Sequence, residues 1–393
     1  MSINRVPLLR PMRARDIDEE HRAATPLELF FDLVFVVAIA AGARELHHGL
    51  AEGHLDAVLG FTMVFLATWW AWMNFTWFAS AYDCDDVVYR VLTFLIMTGS
   101  LGVAAGVHDM FVDGQSTILV GGYCLMRLAM VALWLRAAAG HPERRRTCLT
   151  YAAGITLVQA YWVARLLVSG EEAVVATFFL GMALELLVPW VAERNGRTPF
   201  HPHHIAERYG LFTIIVLGEV ILSIVIALEG AFRHPTGDLV MLVLGALLVV
   251  LSMWWLYFKR DHADLFHSSR QRVIFLIGYG HLFVFASVAA AGAALAAAVD
   301  VVTHHAHASP QFAGLALGVP VAAYCVVLAG MHAADDGSAL TMVPAALTGL
   351  VVLVVPLLGL SMGLTVLLVG LALAAAVVQH VLSVPGDLPD ATA

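Results

Sequence analysis

The sequence predicts an all-α integral membrane protein, with about twelve transmembrane helices in two parallel six-helix repeats. Three observations lead there. Hydrophobic residues make up 60% of the chain and charged residues only 13%, against about 25% charged in soluble domains. Apolar runs of roughly 20 residues, long enough to cross a hydrocarbon core, follow one another along the chain. Pieces of the first half recur in the second. Strands of a membrane barrel would read as ~10-residue alternating segments, whereas these runs are longer and apolar all round.

Residues 1–26 are polar and Arg-rich (Arg5, Arg10, Arg13, Arg15, Arg22). The apolar region of a cleavable signal lies nearer the start and is shorter, so this segment reads as a cytoplasmic tail or a surface-lying arm. Spans are expected at roughly 27–48, 55–80, 87–107, 116–137, 147–168 and 172–193, with ends good to a few residues. A second set follows at roughly 206–228, 238–258, 271–298, 311–331, 338–357 and 360–383. The halves are then 27–199 and 200–383, with a short tail at 384–393. With the N-terminus inside, seventeen of the Lys and Arg residues fall on the inner side and three (Arg44, Arg165, Arg233) on the outer, Arg127 lying within a span. Positive residues mark the cytoplasmic face. The expected location is therefore the bacterial cytoplasmic membrane, with both termini inside.

The repeat rests on particular residues. FLATWWAWMNF in the second helix returns as VLSMWWLYFKR in the eighth, so Trp69-Trp70 match Trp254-Trp255. Arg90 matches Arg272, Glu28 at the start of helix one matches Glu207 at the start of helix seven, and Tyr123-Cys124 match Tyr324-Cys325. An even number of helices per half gives both halves one orientation.

A charge at the bilayer centre costs at least about 2.5–3.5 kcal/mol on insertion scales, so intramembrane charges mark candidate chemistry. Glu28 and Asp32 stand four residues apart on one helix face. They suit proton exchange or cation binding; the alternative is ion pairing to nearby Arg side chains, or stabilisation of the helix N-terminus. Glu207, Arg208 and Glu219 lie on helix seven, Glu219 about 18 Å beyond Glu207. Arg127 is the expected partner of Glu219 in a buried ion pair, and Glu185 could take Arg127 instead. These seven residues are the candidate substrate or ion pathway. Trp69, Trp70, Trp254 and Trp255 form a weaker candidate for aromatic lining, against the interfacial-belt reading. Asn74, Gln159, His281 and Gln379 read as interhelical hydrogen-bonding groups. Pro344 and Pro356 bracket helix eleven and Pro320 lies in helix ten; interrupted helices often surround transport sites, and ordinary kinking is the alternative.

The four cysteines (Cys84, Cys124, Cys148, Cys325) form no Cys-x-x-Cys pair, so neither a disulfide framework nor a thiolate zinc site is expected. Histidine clusters at 47, 48 and 54, at 201, 203 and 204, and at 304, 305 and 307 fall in loops or at helix ends. They are read as solvated rather than metal-binding. Neither HExxH, a P-loop nor GxSxG occurs, so the chain is not expected to be an enzyme. No cofactor or metal is expected. With a net charge of −9 and no exposed basic domain, nucleic acid is not an expected partner; the partners are the lipid bilayer and a small solute or ion, and an oligomer is compatible with this.

TPLELFFDLVFVVAIA (Thr25 to Ala40) and HIAERYGLFTIIVLGEVILSI (His204 to Ile224) resemble the two signatures of the bacterial low temperature requirement protein A family. The double-Trp helix and Asp83 fit the same likeness, which runs from about Thr25 to about Leu382. It implies a multi-pass bacterial membrane protein and brings no settled activity. FFDLVFVVAIA is also similar to the FSD motif of two-repeat, six-helix potassium channels, with Phe31 in place of the Ser. The functional expectation is a secondary transporter of a small solute or ion, with proton coupling as one form. The alternatives are an ion channel or proton pathway, and a non-transport membrane enzyme or cold-stress component.

Overall fold

The computed structural model describes residues 6–16, 19, 22–229, 231, 235–260, 271–336 and 339–383. The tail at 384–393, Arg5, Arg233 and Arg270, and the side chain of Arg272, lie outside that description. The described residues form twelve α-helices and no strand. In chain order these are α1 (Pro26–Glu52), α2 (Asp56–Tyr82), α3 (Val87–Asp113), α4 (Thr117–Gly140), α5 (Arg145–Ala164) and α6 (Glu171–Ala192). They continue as α7 (Pro202–Ala227), α8 (Gly237–Phe258), α9 (Gln271–Val302), α10 (Pro310–Asp336), α11 (Val343–Val354) and α12 (Met362–Ser383).

Ten of them are long and apolar enough to cross a membrane, two fewer than the sequence suggests. The exceptions have physical reasons. α5 opens on Arg145-Arg146 and carries Thr147, Thr150, Tyr151, Thr156 and Gln159, which lowers its hydropathy. α11, extended by a 3-10 turn, runs only from Val343 to Leu358. Those residues rise about 24 Å, short of a hydrocarbon core of about 30 Å. Pro356 lies in the 3-10 turn, where a missing N–H and a fixed φ end the α-helix.

The chain forms two compact units, one of residues 1–45 and 56–215, the other of 46–55 and 216–393. In the first, α2 is the central helix. Trp69, Trp70, Trp72, Phe75, Phe78 and Tyr82 are all buried along it. Rings from other helices stack on these: Phe31 on Phe75 at 4.2 Å, Phe212 on Trp72 at 4.2 Å. The N-terminal segment is held against the first unit. Pro7 and Leu8 carbonyls accept the N–H groups of Val87 and Val88, Arg15 N–H bonds the Ala81 carbonyl, and Met12 is buried.

In the second unit the central helix is α9, and its packing is of the opposite kind. Ala289, Ala293, Ala294, Ala296, Ala297 and Ala298 are all buried, so neighbouring backbones approach closely where the first unit interposes rings. At one end His47 meets Asp300 at 2.6 Å and His307 meets Glu52 at 2.6 Å. The first contact corrects the solvated reading for His47, whose side chain is 18% exposed; His307, at 83% exposure, stays solvated as expected.

Each unit also brings helices together through glycine. A Cβ on Gly122 of α4 would lie 2.5 Å from the Gly99 carbonyl oxygen and 2.6 Å from the Val103 nitrogen of α3. In the second unit a Cβ on Gly370 of α12 would lie 2.6 Å from the Gly245 oxygen of α8. Lipid gives helices no hydrophobic reason to associate, so close backbone approach through small residues supplies the attraction. Gly122→Ala should therefore lower stability by about 1–3 kcal/mol, the usual cost of overpacking. Its neighbour Gly121 has nothing within 4 Å of a Cβ, and Gly121→Ala should leave the thermal midpoint of the detergent-solubilised protein unchanged. Equal midpoints for the two variants would refute the contact.

Candidate functional site

Helix α1 begins with Thr25, Pro26 and Glu28, an N-terminal pattern with a local explanation. The Glu28 amide donates to the Thr25 hydroxyl (3.3 Å), and the Glu28 carboxylate accepts from the Thr25 N–H (2.8 Å) and its hydroxyl (3.0 Å). This is a reciprocal capping box with proline at the first helical position. One turn on, Asp32 presents its carboxylate on the same face.

Helix α7 brings the opposite charge. Arg208 Nη1 lies 3.0 Å from Glu28 Oε1. Its Nη2 and Nε meet the two Asp32 oxygens at 2.5 and 3.2 Å. The planar guanidinium thus bridges both acids, a geometry that an ammonium cannot copy. Asp32 also accepts from the Trp72 indole N–H at 2.7 Å. His204 Nε2 lies 3.1 Å from Glu28 Oε1. Glu28, Asp32, Arg208 and His204 are each at most 1% exposed, so this is a charged cluster sealed from water.

Its surroundings are equally specific. Arg22 donates through Nη1 to the Ser80 carbonyl and through Nη2 to the Ala79 carbonyl at 2.6 Å, covering the electronegative C-terminus of α2. His201 receives the His204 N–H on Nδ1 at 3.3 Å, and its own N–H donates to the Ser80 hydroxyl. The Tyr89 hydroxyl is buried and makes no hydrogen bond among the described residues. Asp83, in the turn between α2 and α3, is 7% exposed and accepts the Asp85 N–H at 2.9 Å. Burial raises its carboxyl pKa to about 6, the nearby Glu28 charge adds to the rise, and the Asp85 N–H and Arg22 oppose it.

A second buried cluster surrounds Glu185 of α6. Its Oε1 accepts from the Tyr123 hydroxyl (2.9 Å), Gln159 Nε2 (3.1 Å) and Trp162 Nε1 (3.2 Å). Its Oε2 accepts from Arg127 Nη2 (2.7 Å) and Trp70 Nε1 (3.1 Å). Arg127 therefore pairs with Glu185, which corrects the expected Arg127–Glu219 pair. Charge is balanced one to one here, and five donors saturate the carboxylate.

The candidate pathway residues thus separate. Glu28, Asp32 and Arg208 come together; Arg127 and Glu185 come together elsewhere in the same unit. Glu207 points outward and accepts the Ala24 N–H at 3.0 Å. Glu219 is half-buried, with the Ser223 hydroxyl 3.4 Å from its Oε1. Trp69 and Trp70 are buried, while the matching Trp254 and Trp255 are 44% and 46% exposed near the end of α8. Histidines 201 and 204 are 4% and 0% exposed, correcting the solvated reading for those two. Sequence reasoning missed His204, Trp72, Tyr89 and Arg22 as cluster members. The i,i+4 spacing of His204 and Arg208 was the available signal, since it puts both on the face of α7 that meets Glu28. Among the described residues, no three His, Cys, Asp or Glu side chains gather as a metal-binding group.

Helices of this length and hydropathy, with two sealed charge clusters among them, define a multi-pass membrane protein. Its family follows from comparison: the model of the bacterial low temperature requirement A protein family matches residues 23–382, and the chain belongs to that family. The chain is 27% identical over 281 residues to an uncharacterized protein of Rhizobium meliloti (strain 1021), an alignment that covers 67% of this chain and 66% of the relative. No solved structure matches it.

Two predictions follow from the clusters. Glu185→Gln should cost about 3–5 kcal/mol, because it strands the Arg127 charge in the interior. Arg127→Met combined with Glu185→Met should cost less than that single change; a larger loss in the double variant would contradict the balanced pair. Asp83 gives the second. Its folded carboxyl holds a proton up to about pH 6, whereas an unfolded Asp releases it near ~3.9. The folded state binds more protons between those values, so stability falls as pH rises through that window, by at most about 2–3 kcal/mol. Asp83→Asn should flatten this stretch of the pH–stability curve and be the more stable protein above it.

Proposed function

We propose that the protein is a secondary transporter of a small solute or ion, coupled to protons or another cation through Glu28, Asp32 and Arg208. The carrying observation is the charge imbalance of the sealed cluster: two carboxylates share one guanidinium, each at most 1% exposed. A purely structural pair needs one acid per base, as at Arg127 and Glu185. A surplus carboxylate in an apolar interior invites a proton or cation to complete it. Protonating Asp32 would weaken its hold on Arg208 and free that side chain, giving a direct link between cation occupancy and the α1–α7 contact.

In this reading the chain resides in the bacterial cytoplasmic membrane with both termini inside, its two halves are parallel repeats, and it catalyses no covalent chemistry. The solute is the partner besides lipid.

The test is flux through purified protein in liposomes containing an internal pH dye, with a panel of cations and small solutes outside. Solute-dependent proton movement is expected. Asp32→Asn and Glu28→Gln should lower it at least about tenfold, equivalent to ~1.4 kcal/mol. Glu171→Gln, at an exposed position in the first turn of α6, should not. Rapid flux that needs no solute would favour a channel, and absence of flux in folded protein would assign a non-transport role.

A further inference from the structure

The second unit contains a cavity that the proposed transport cluster does not use. It has a volume of about 200 Å³ and lies where α8 and α12 end, beside α10 and the first turn of α11. Its wall includes Lys259, Arg260, His332, Gln379 and His380. Lys259 is also the single lysine of the sequence.

Basic side chains at the C-terminal ends of α8 and α12 have an ordinary explanation, since they complement the electronegative helix ends. That explanation accounts for their sequence positions. It does not account for a cavity at the point where they converge, or for His332, which reaches the same space from α10 while only 3% exposed. The start of α11 contributes Pro344 and Ala345 to the wall, so the electropositive end of a fourth helix also borders the cavity. The proline-bracketed short helix noted in the sequence thus has a place in the fold: its first turn forms part of the cavity wall.

We propose that the cavity binds a compact anionic group with the chemistry of a phosphate. Lys and Arg are the residues that hold phosphate oxygens, Arg through its fork and Lys as a point charge. The volume supports a small group, being below the ~300–1,000 Å³ that encloses drug-sized ligands. The group could be supplied by a free phosphate from the aqueous side or by the headgroup of an anionic phospholipid, because the ends of membrane-crossing helices lie at headgroup level.

The single lysine makes the test direct. Reductive ¹³C-methylation of the full-length protein keeps the charge and places one side-chain reporter in the cavity, with the N-terminal amine as reference. In nanodiscs of zwitterionic lipid, inorganic phosphate is titrated against chloride at equal ionic strength. In parallel, phosphatidylglycerol replaces part of the zwitterionic lipid. Ala345→Phe narrows the cavity while keeping every charge, and should weaken binding by about tenfold or more. A saturable shift of the Lys259 signal with phosphate, lost in that variant, supports a soluble anion. A shift with phosphatidylglycerol alone, also lost in the variant, supports a lipid headgroup. A signal that moves no more with either than with chloride, or equally in the folded Ala345→Phe protein, overturns the site.

Discussion

Arg208 is the interaction on which the first unit depends. A guanidinium at 0% exposure is tolerable only because two carboxylates meet it, and each carboxylate only because the guanidinium meets both. Removing any one of the three would leave a charge in a medium where isolated ions cost many kcal/mol. The three therefore dictate much around them. Trp72 supplies the remaining donor to Asp32 and is itself covered by the stacked Phe212 ring, and the arm at residues 6–16 bonds the turn that follows α2. The Phe31 ring is itself fully buried, stacked on Phe35 and Phe75. The position that holds a Ser in the channel motif is thus a packing residue here.

The two units meet the problem of helix association by different means. The first packs α2 through tryptophan and phenylalanine and uses glycine contact at α3 and α4. The second packs α9 through alanine and uses glycine contact at α8 and α12. Aromatic side chains leave room for indole N–H and tyrosine O–H groups to satisfy buried acids, and both buried charge clusters lie in the aromatic unit. In the second unit the buried Tyr257 and Tyr324 hydroxyls meet His281 and the Met253 carbonyl instead, and Lys259, Arg260 and His380 stand at helix ends.

Legibility in the sequence followed the same physics. Helix positions were readable because a hydrocarbon core demands ~20 apolar residues and leaves a long, uniform signal. α5 and α11 fall short of the length and hydropathy of the other ten, and a window that counts apolar residues registers neither the Arg pair opening α5 nor the shortness of α11. Glu28, Asp32 and Arg208 could be singled out because charges are rare in such runs. Their partners could not be chosen from one sequence: Arg127 had two acids in prospect, and only the packing of α4 against α5, and α5 against α6, decides for Glu185. The histidines were misjudged for a related reason. Residues 201 and 204 precede or open α7, and position relative to a helix end does not reveal that other segments cover that end.

The net charge of the Arg208 cluster is not the whole electrostatic balance. Glu28 lies in the first turn of α1 and His204 in the first turn of α7, so two helix N-termini border the cluster. Each carries roughly half a positive charge. Two such ends offset about one negative charge, which is the surplus left by Glu28, Asp32 and Arg208. The cluster is thus near neutral only while both helix ends stay where they are. The end effect fades within a single turn, so a shift of α7 along its axis by that much would expose the surplus acid. A proton or cation arriving at the acids would remove the electrostatic reason for the two ends to remain. Charge state and helix position are then linked through the same few ångströms, an arrangement the balanced Arg127–Glu185 pair, with its five donors on one carboxylate, does not provide.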